Sequence, residues 1–303
     1  MKKAVIMLGL IIGSLTACLD CVAQAYIKTE YVTSSAYRDK DSQKTGGSGD
    51  LLKYSGGVNI PLYMKQYEDK RIKMWSVAVD ASYARLNNHQ LTREQCPDNM
   101  LNAQLGLVYL APIKKRWSML AMAGIGIYSE KDKIGWKNVL GAGGVVAIYH
   151  IKPNMSVGLG VAVTNQFGIP MIMPAGYFDW KLNGKYQLSI SCVQNCEIKG
   201  AVQLTDRFKL GLLLGQMDGM SAVMDVDGKS MIFGQMMVSS GIQPEYRLGK
   251  SCSIQLTAGG TWCRLSTITR RSLKGFAQTF RDDDNDPNFE VAGYVSIAFK
   301  YGF

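Results

Sequence analysis

From Phe289 to Phe303 the chain alternates for 15 residues without a break. Phe289, Val291, Gly293, Val295, Ile297, Phe299, Tyr301 and Phe303 share one face. Glu290, Ala292, Tyr294, Ser296, Ala298, Lys300 and Gly302 share the other. A period of two puts successive side chains on opposite sides of a strand. Strands of soluble domains run about 5 or 6 residues, whereas a tilted strand that crosses a bilayer needs about 9 to 11. A strand this long, with one face apolar throughout, requires an apolar medium on one side. The competing fold is a soluble β-sandwich or a lipidated surface protein.

Other segments repeat the pattern. Trp75, Val77, Val79, Ala81 and Tyr83 alternate with Ser76, Ala78, Asp80 and Ser82. Leu101, Ala103, Leu105, Leu107 and Tyr109 alternate with Asn102, Gln104, Gly106 and Val108. Cys252, Ile254, Leu256, Ala258 and Trp262 alternate with Ser253, Gln255, Thr257 and Thr261. The apolar sets end in Trp or Tyr, as an interfacial girdle does. Composition agrees. Charged residues are 19% and hydrophobic ones 47% of 303 residues, with a mean hydropathy of −0.02. After the N-terminus no apolar run reaches the roughly 20 residues of a membrane helix. A barrel reconciles these numbers, because lipid-facing and water-facing residues cancel in the mean.

Short connections are expected near Lys114 to Arg116, Ile151 to Asn154, Asn183-Gly184, Asp206 and Gly249-Lys250. Longer ones are expected near Arg38 to Asp50, Asn87 to Asn99, Ser129 to Lys137, Asp218 to Ser230 and Ser266 to Pro287. Short periplasmic turns and long outer loops are the asymmetry of outer-membrane barrels. The expected fold is therefore all-β, an antiparallel transmembrane barrel of about 14 strands, or about 12 if the stretch from Gly168 to Thr205 forms fewer.

The first residues read as an export signal, giving residues 1–25 as a signal peptide and 26–303 as the barrel. Lys2 and Lys3 precede an apolar stretch from Ala4 to Ala17, and Ala23-Gln24-Ala25 is a small-x-small site. Cleavage there starts the mature chain at Tyr26. Leu15-Thr16-Ala17-Cys18 also fits a lipidation signal at Cys18, so both routes stay open. Cys96, Cys192, Cys196, Cys252 and Cys263 remain. Cys192 and Cys196 flank a tight turn and either pair across it or serve as small apolar strand residues. No pair of CxxC motifs points to zinc.

The net charge is +10. Export excludes nucleic acid as the partner, which leaves lipopolysaccharide phosphates or anionic solutes. Arg85, Arg93, Arg264, Arg270 and Arg271 fall at expected outer strand ends, where lipopolysaccharide contacts would lie. Asp282, Asp284 and Asp286 alternate as in a calcium loop, without its central glycine and terminal glutamate. Expected lumen residues are Asp80, Asn102, Gln104, Gln187, Lys209, Gln255, Glu290 and Lys300. The two histidines, His89 and His150, belong to no His-x-Ser motif, so an enzyme is not expected. No GxGxxG opens a helix, and no cofactor is expected.

Two features carry a family resemblance. One is the terminal strand with Phe299, Tyr301 and Phe303. The other is the stretch Gly168 to Trp180 (GIPMIMPAGYFDW), followed by Tyr186-Gln-Leu188-Ser-Ile190. Together they resemble an uncharacterised family of Gram-negative outer-membrane barrels described as domains of unknown function. The terminal residues are similar to the signal read by the barrel-insertion machinery. The resemblance implies an outer-membrane location and brings no catalytic residues. Among functions, a passive channel for small solutes ranks first. A structural or binding barrel, whose outer loops recognise a ligand, lipopolysaccharide or partner, ranks second. An enzyme ranks last.

Overall fold

The computed structural model describes residues 23–302 except 69–70, 93–94, 166–170, 183, 193–195, 227 and 271–285. Apart from one 3-10 turn at Trp136–Asn138, its regular elements are strands. They are β1 (Gln24–Arg38), β2 (Lys44–Gln66), β3 (Ile72–His89), β4 (Asn99–Lys114), β5 (Trp117–Ser129), β6 (Val139–Lys152) and β7 (Met155–Thr164). Then follow β8 (Met171–Leu182), β9 (Tyr186–Cys192), β10 (Cys196–Gln203), β11 (Phe208–Val226), β12 (Lys229–Arg247) and β13 (Cys252–Arg270). The chain closes with β14 (Asn288–Phe289) and β15 (Ala292–Tyr301).

Each strand from β1 to β13 pairs antiparallel with its chain neighbours. β15 pairs with both β13 and β1, which closes the ring. β14 lies between the same two strands, so β14 and β15 are two pieces of one wall strand. The result is a closed up-and-down barrel of 14 strands, as expected. Closure removes the free edges of the sheet, the condition for strands to cross a bilayer.

Ala25 pairs with Tyr301, so both chain ends lie at one rim, here the terminal rim. Its turns are short: 67–71, 115–116, 153–154, 183–185, 204–207 and 248–251. The opposite, distal rim carries the longer connections 90–98, 130–138 and 271–287. Two expected outer loops are instead largely strand. Lys44 to Asp50 belongs to β2, and β11 and β12 zip up to a Val226–Lys229 pair. Asp218 and the glycines after it read as loop in sequence. They form a strand because they pair in register with β12 from Gln216–Ser239 to Val226–Lys229, and the segment runs inside the molecule, where Asp218 meets Lys53.

Outward positions carry the apolar belt. Ile27, Leu105, Leu107, Ile125, Ile297 and Phe299 are exposed, and Leu159 is 76% exposed. At about 25 cal/mol per Å², such a surface is costly in water and at ease in lipid. Aromatic side chains edge the belt at the terminal rim. Trp75 stacks on Tyr109 at 4.3 Å and Trp117 on Tyr149 at 4.9 Å. Tyr31, Tyr54 and Trp262 mark the other edge.

The terminal strand departs from the sequence expectation at one point. Its alternation holds from Ala292 to Tyr301 but slips by one residue at Glu290 and Val291. Phe289 is therefore inward and 2% exposed. β1 slips in the same way between Val32 and Ser35. A bulge adds one residue to a strand, and one residue exchanges its faces.

Candidate functional site

The closed wall makes the barrel interior the candidate site, and its two halves differ. In the distal half, β11 pairs with β10 only as far as Met217. Beyond that point the β11–β12 hairpin turns inward. Residues 218–224 are all buried, whichever way they point. Val223 meets Ser129 of β5 in parallel register. Ser221 Oγ donates to the Asn165 carbonyl at 2.8 Å. Asn102 donates its amide to the Ser221 carbonyl at 2.6 Å and accepts from the Ser221 N–H at 3.2 Å. Met220, Met224, Phe233 and Met237 then pack with Val32, Tyr37, Leu51, Met100, Phe289 and Tyr294 in one buried cluster. The distal lumen is thus an apolar core.

A layer of charge lies beneath this core. Lys28 Nζ is 2.7 Å from Glu30, and Lys53 Nζ is 3.5 Å from the other Glu30 oxygen. Lys53 also donates to Asp218. Tyr294 donates its hydroxyl to Glu30 at 2.6 Å. Asp218 accepts a further bond from the Gly219 N–H at 2.8 Å. Glu30, Lys53, Asp218 and Tyr294 are buried. Two ammonium groups balance two carboxylates, which is the condition for charges to tolerate burial. Lys53 stands on the wall strand β2 and Asp218 on the inturned β11, so their pair ties hairpin to wall.

The terminal half is polar along one side. Gln255 donates to Glu245 at 3.1 Å, and Lys300 lies 3.9 Å from Glu245. Lys209 donates to Gln187 at 3.4 Å, and Gln187 donates to Asp179 at 3.2 Å. Lys199 and Glu197 pair at 3.3 Å. The opposite side is apolar, formed by Leu110, Leu120, Val146, Ile148, Ala162 and Tyr177 on β4 to β8. His150 sits at its lower edge between the hydroxyls of Ser118 at 2.8 Å and Ser156 at 2.9 Å. Ser118 is buried, and His150 and Ser156 are half-buried. A cavity of about 50 Å³, enough for a few waters, lies beside Asp80, Gln104, Gly106 and Gly124. A groove of about 600 Å³ is instead lined by outward residues such as Trp180, Leu188, Leu212 and Ile242. It faces lipid.

The residues singled out in the sequence are placed as follows. Asp80 is inward and accepts from the Tyr26 hydroxyl at 2.9 Å, with Gln104 beside it in register. Asn102, Gln255 and Lys300 also face the interior, as described above. Glu290 does not. The slip in the terminal strand turns it outward at the distal rim, where Arg38 approaches to 2.6 Å and Lys44 to 3.0 Å. Hydrogen bonds from Lys44 and then Arg38 hold its carboxyl below the usual carboxylate range. Arg85 is outward and exposed near the distal rim. Arg264 is interior and 1% exposed. It donates to the Gly49 carbonyl at 2.9 Å and lies over the Phe289 ring at 3.5 Å. A register shift between Thr261 and Cys263 turns it in. Phe299 and Tyr301 are outward on β15. Asp286 is exposed. Arg93, Arg271, Asp282, Asp284 and Phe303 lie outside the described residues, as does the Arg270 side chain. Among the described residues no three His, Cys, Asp or Glu side chains gather as metal ligands. Cys192 and Cys196 form a disulfide across their turn, with Cα atoms 4.0 Å apart.

Sequence reasoning missed the central layer of Lys28, Glu30, Lys53 and Asp218. A signal was there for three of them. Lys28 and Glu30 alternate with the outward Ile27 and Tyr31, and Lys53 sits between Leu52 and Tyr54. Alternation assigns all three to the interior.

No curated protein matches the sequence. Among solved structures, the chain is similar to the COG4313 outer membrane channel from Pseudomonas putida F1. Identity is 10% over 94% of this chain and 96% of that one, with a TM-score of 0.44. It is also similar to a bacterial polysaccharide outer membrane secretin, at 10% identity over 94% and 100% with a TM-score of 0.45. The Pseudomonas putida toluene transporter TodX gives 8% over 96% and 91%, with a TM-score of 0.36. Likeness at this level is a matter of barrel shape alone. The model of the family described as "Domain of unknown function (DUF6268)" matches residues 19–302, nearly the whole barrel. This chain belongs to that family.

Proposed function

We propose that this protein is a channel of the bacterial outer membrane that passes small solutes through its lumen. The distal half is closed by the β11–β12 hairpin in the conformation described. The observation that carries this reading is the polar, charged wall of the terminal half, Glu245, Gln255, Lys300, Lys209 and Gln187. Such a lining is of use only where water and solutes reach it. The hairpin is the constriction, and the Lys53–Asp218 pair is its latch. The terminal rim faces the periplasm. Residues 1–25 direct export, cleavage after Ala25 leaves Tyr26 first, and Phe299, Tyr301 and Phe303 are read by the insertion machinery. Arg85 contacts lipopolysaccharide phosphate at the outer edge.

Planar-bilayer recording tests the channel. Wild-type protein should give small, infrequent openings, and Asp218→Ala should open more often. A correctly folded barrel that passes no current in either form would sink the reading. The packed distal core favours what would then remain, a structural or binding barrel whose distal face recognises a partner. N-terminal sequencing tests export: a chain beginning at Tyr26 supports cleavage, and a blocked Cys18 overturns it.

A further inference from the structure

The net charge of the chain is unevenly divided between the rims. Counting each turn with two residues on either side, the described residues of the terminal rim hold 13 Lys and Arg against 2 Asp and Glu. The same count at the distal rim gives 8 against 8. The described residues of the terminal rim therefore carry a net +11, and those of the distal rim none. The sequence had pointed the other way, to basic residues at the outer strand ends. Every one of the six terminal-rim turns contributes, including the one at 153–154, through Lys152. Of these cations Lys209 turns into the lumen, while Lys65, Lys114, Lys115, Arg116, Lys152 and Lys185 are exposed on the rim.

The rim cations lie just beyond the aromatic girdle. Lys65 stands 5.5 Å from the Tyr67 ring centroid, and Lys185 stands 5.8 Å from that of Tyr186. Arg116 reaches the Tyr149 hydroxyl at 3.5 Å, and Tyr149 itself stacks on Trp117. Interfacial Trp and Tyr mark the headgroup level of a membrane. Cations directly past them stand at the depth of lipid phosphates, with their stems along the apolar edge.

We infer that the terminal rim is a binding collar for anionic phospholipid, its Lys and Arg side chains holding the phosphodiester headgroups of the adjoining leaflet. This rests on the membrane reading of the barrel and not on conduction: a barrel that passes no current still binds lipid. A solute-attracting field would need the cations turned into the lumen, whereas Lys65, Lys114, Lys115, Arg116, Lys152 and Lys185 are exposed on the rim.

The test uses the full-length barrel in nanodiscs of phosphatidylcholine with a minor fraction of phosphatidylglycerol. Lipids retained by the protein are quantified by native mass spectrometry. Phosphatidylglycerol should be enriched about threefold over its bulk share, and high salt should abolish the enrichment. The triple variant Lys114→Gln, Lys115→Gln, Arg116→Gln should lose a clear part of it. The distal control Lys131→Gln, Lys133→Gln should keep it. If the triple variant fails to fold, the salt dependence of the wild type and the charge-preserving pair Lys114→Arg, Lys115→Arg, expected to bind as the wild type does, carry the test. Equal retention of both lipids overturns the proposal. So does an enrichment that the distal control loses as much as the triple variant. Displacement of the lipid by millimolar inorganic phosphate at constant ionic strength would overturn it too, identifying a free-phosphate site instead.

Discussion

The two halves of the interior answer one physical problem in opposite ways. Both lie inside the same wall, behind the same apolar belt. The distal half fills its space with Met220, Met224, Phe233, Tyr37 and Phe289, as a soluble core does. The terminal half keeps Lys209, Glu245, Gln255 and Lys300 along one side. Wide barrels of this class ordinarily leave their lumen wet. Here β11 parts from β10 beyond Met217 and crosses to β5, carrying its hairpin into the space while β12 stays paired with β13. What differs between the halves is therefore not the wall but whether a hairpin occupies the lumen. The layer of Lys28, Glu30, Lys53 and Asp218 is the boundary between them.

That boundary is where the comparison breaks most easily. Lys53→Met should cost about 3 to 5 kcal/mol, because it leaves Asp218 buried without its cation and Glu30 with only Lys28. Urea titration followed by gel mobility measures the loss. The double variant Lys53→Met, Asp218→Leu should recover most of it, since removing both charges also removes the desolvation cost. A single variant within about 1 kcal/mol of the wild type would show that the layer ties nothing together.

A smaller effect sharpens the contrast. Phe233→Ala removes a fully buried ring from the distal core and should cost about 3 kcal/mol. Lys300→Gln in the terminal half should change stability by no more than about 0.5 kcal/mol. It should instead shift the cation-to-anion permeability ratio, read as a reversal potential. If Lys300→Gln destabilises as much as Phe233→Ala, the terminal half is packed as well, and the two halves are alike.

How much of this was legible follows from what alternation can and cannot encode. The barrel, its 14 strands, the short turns of one rim and the aromatic edges all express a period of two, which local sequence carries. Two kinds of residue escaped. The first are those beyond a bulge. Trp262 is outward and 59% exposed, and Arg264, two positions on, should follow it. The one-residue shift between Thr261 and Cys263 sends Arg264 inward. Phe289 and Glu290 exchange faces for the same reason. Nothing in the residues themselves announces a bulge. The second kind is the inturned hairpin. Asp218, Gly219, Ser221 and Asp225 resemble loop residues by type; pairing with β12 makes a strand of them, and Lys53, Asn102 and Ser129 hold that strand inside. Those last three lie more than 90 residues away in sequence.

The smallest expected effect concerns Glu290, whose place at the distal rim follows from one of those bulges. Arg38 donates to it through Nε at 3.1 Å and Nη2 at 2.6 Å, and Lys44 approaches to 3.0 Å. These bonds lower its carboxyl pKa. A lowered value in the folded state means that the contribution to stability is complete above the unfolded carboxylate value, about 4.3. It is lost as pH falls through the lower folded value. Glu290→Gln should therefore be slightly less stable than the wild type at pH near 7, and the two should converge as pH falls below the lowered folded value. Because the group is open to solvent, 1 M salt should erase the difference at every pH. Urea midpoints of the two proteins across pH, at low and high salt, measure it. A difference that persists in acid or in salt would mean that Glu290 faces the interior after all. The terminal strand would then keep its alternation unbroken to Phe289, and the distal half of the lumen would lose the ring that Arg264 lies against.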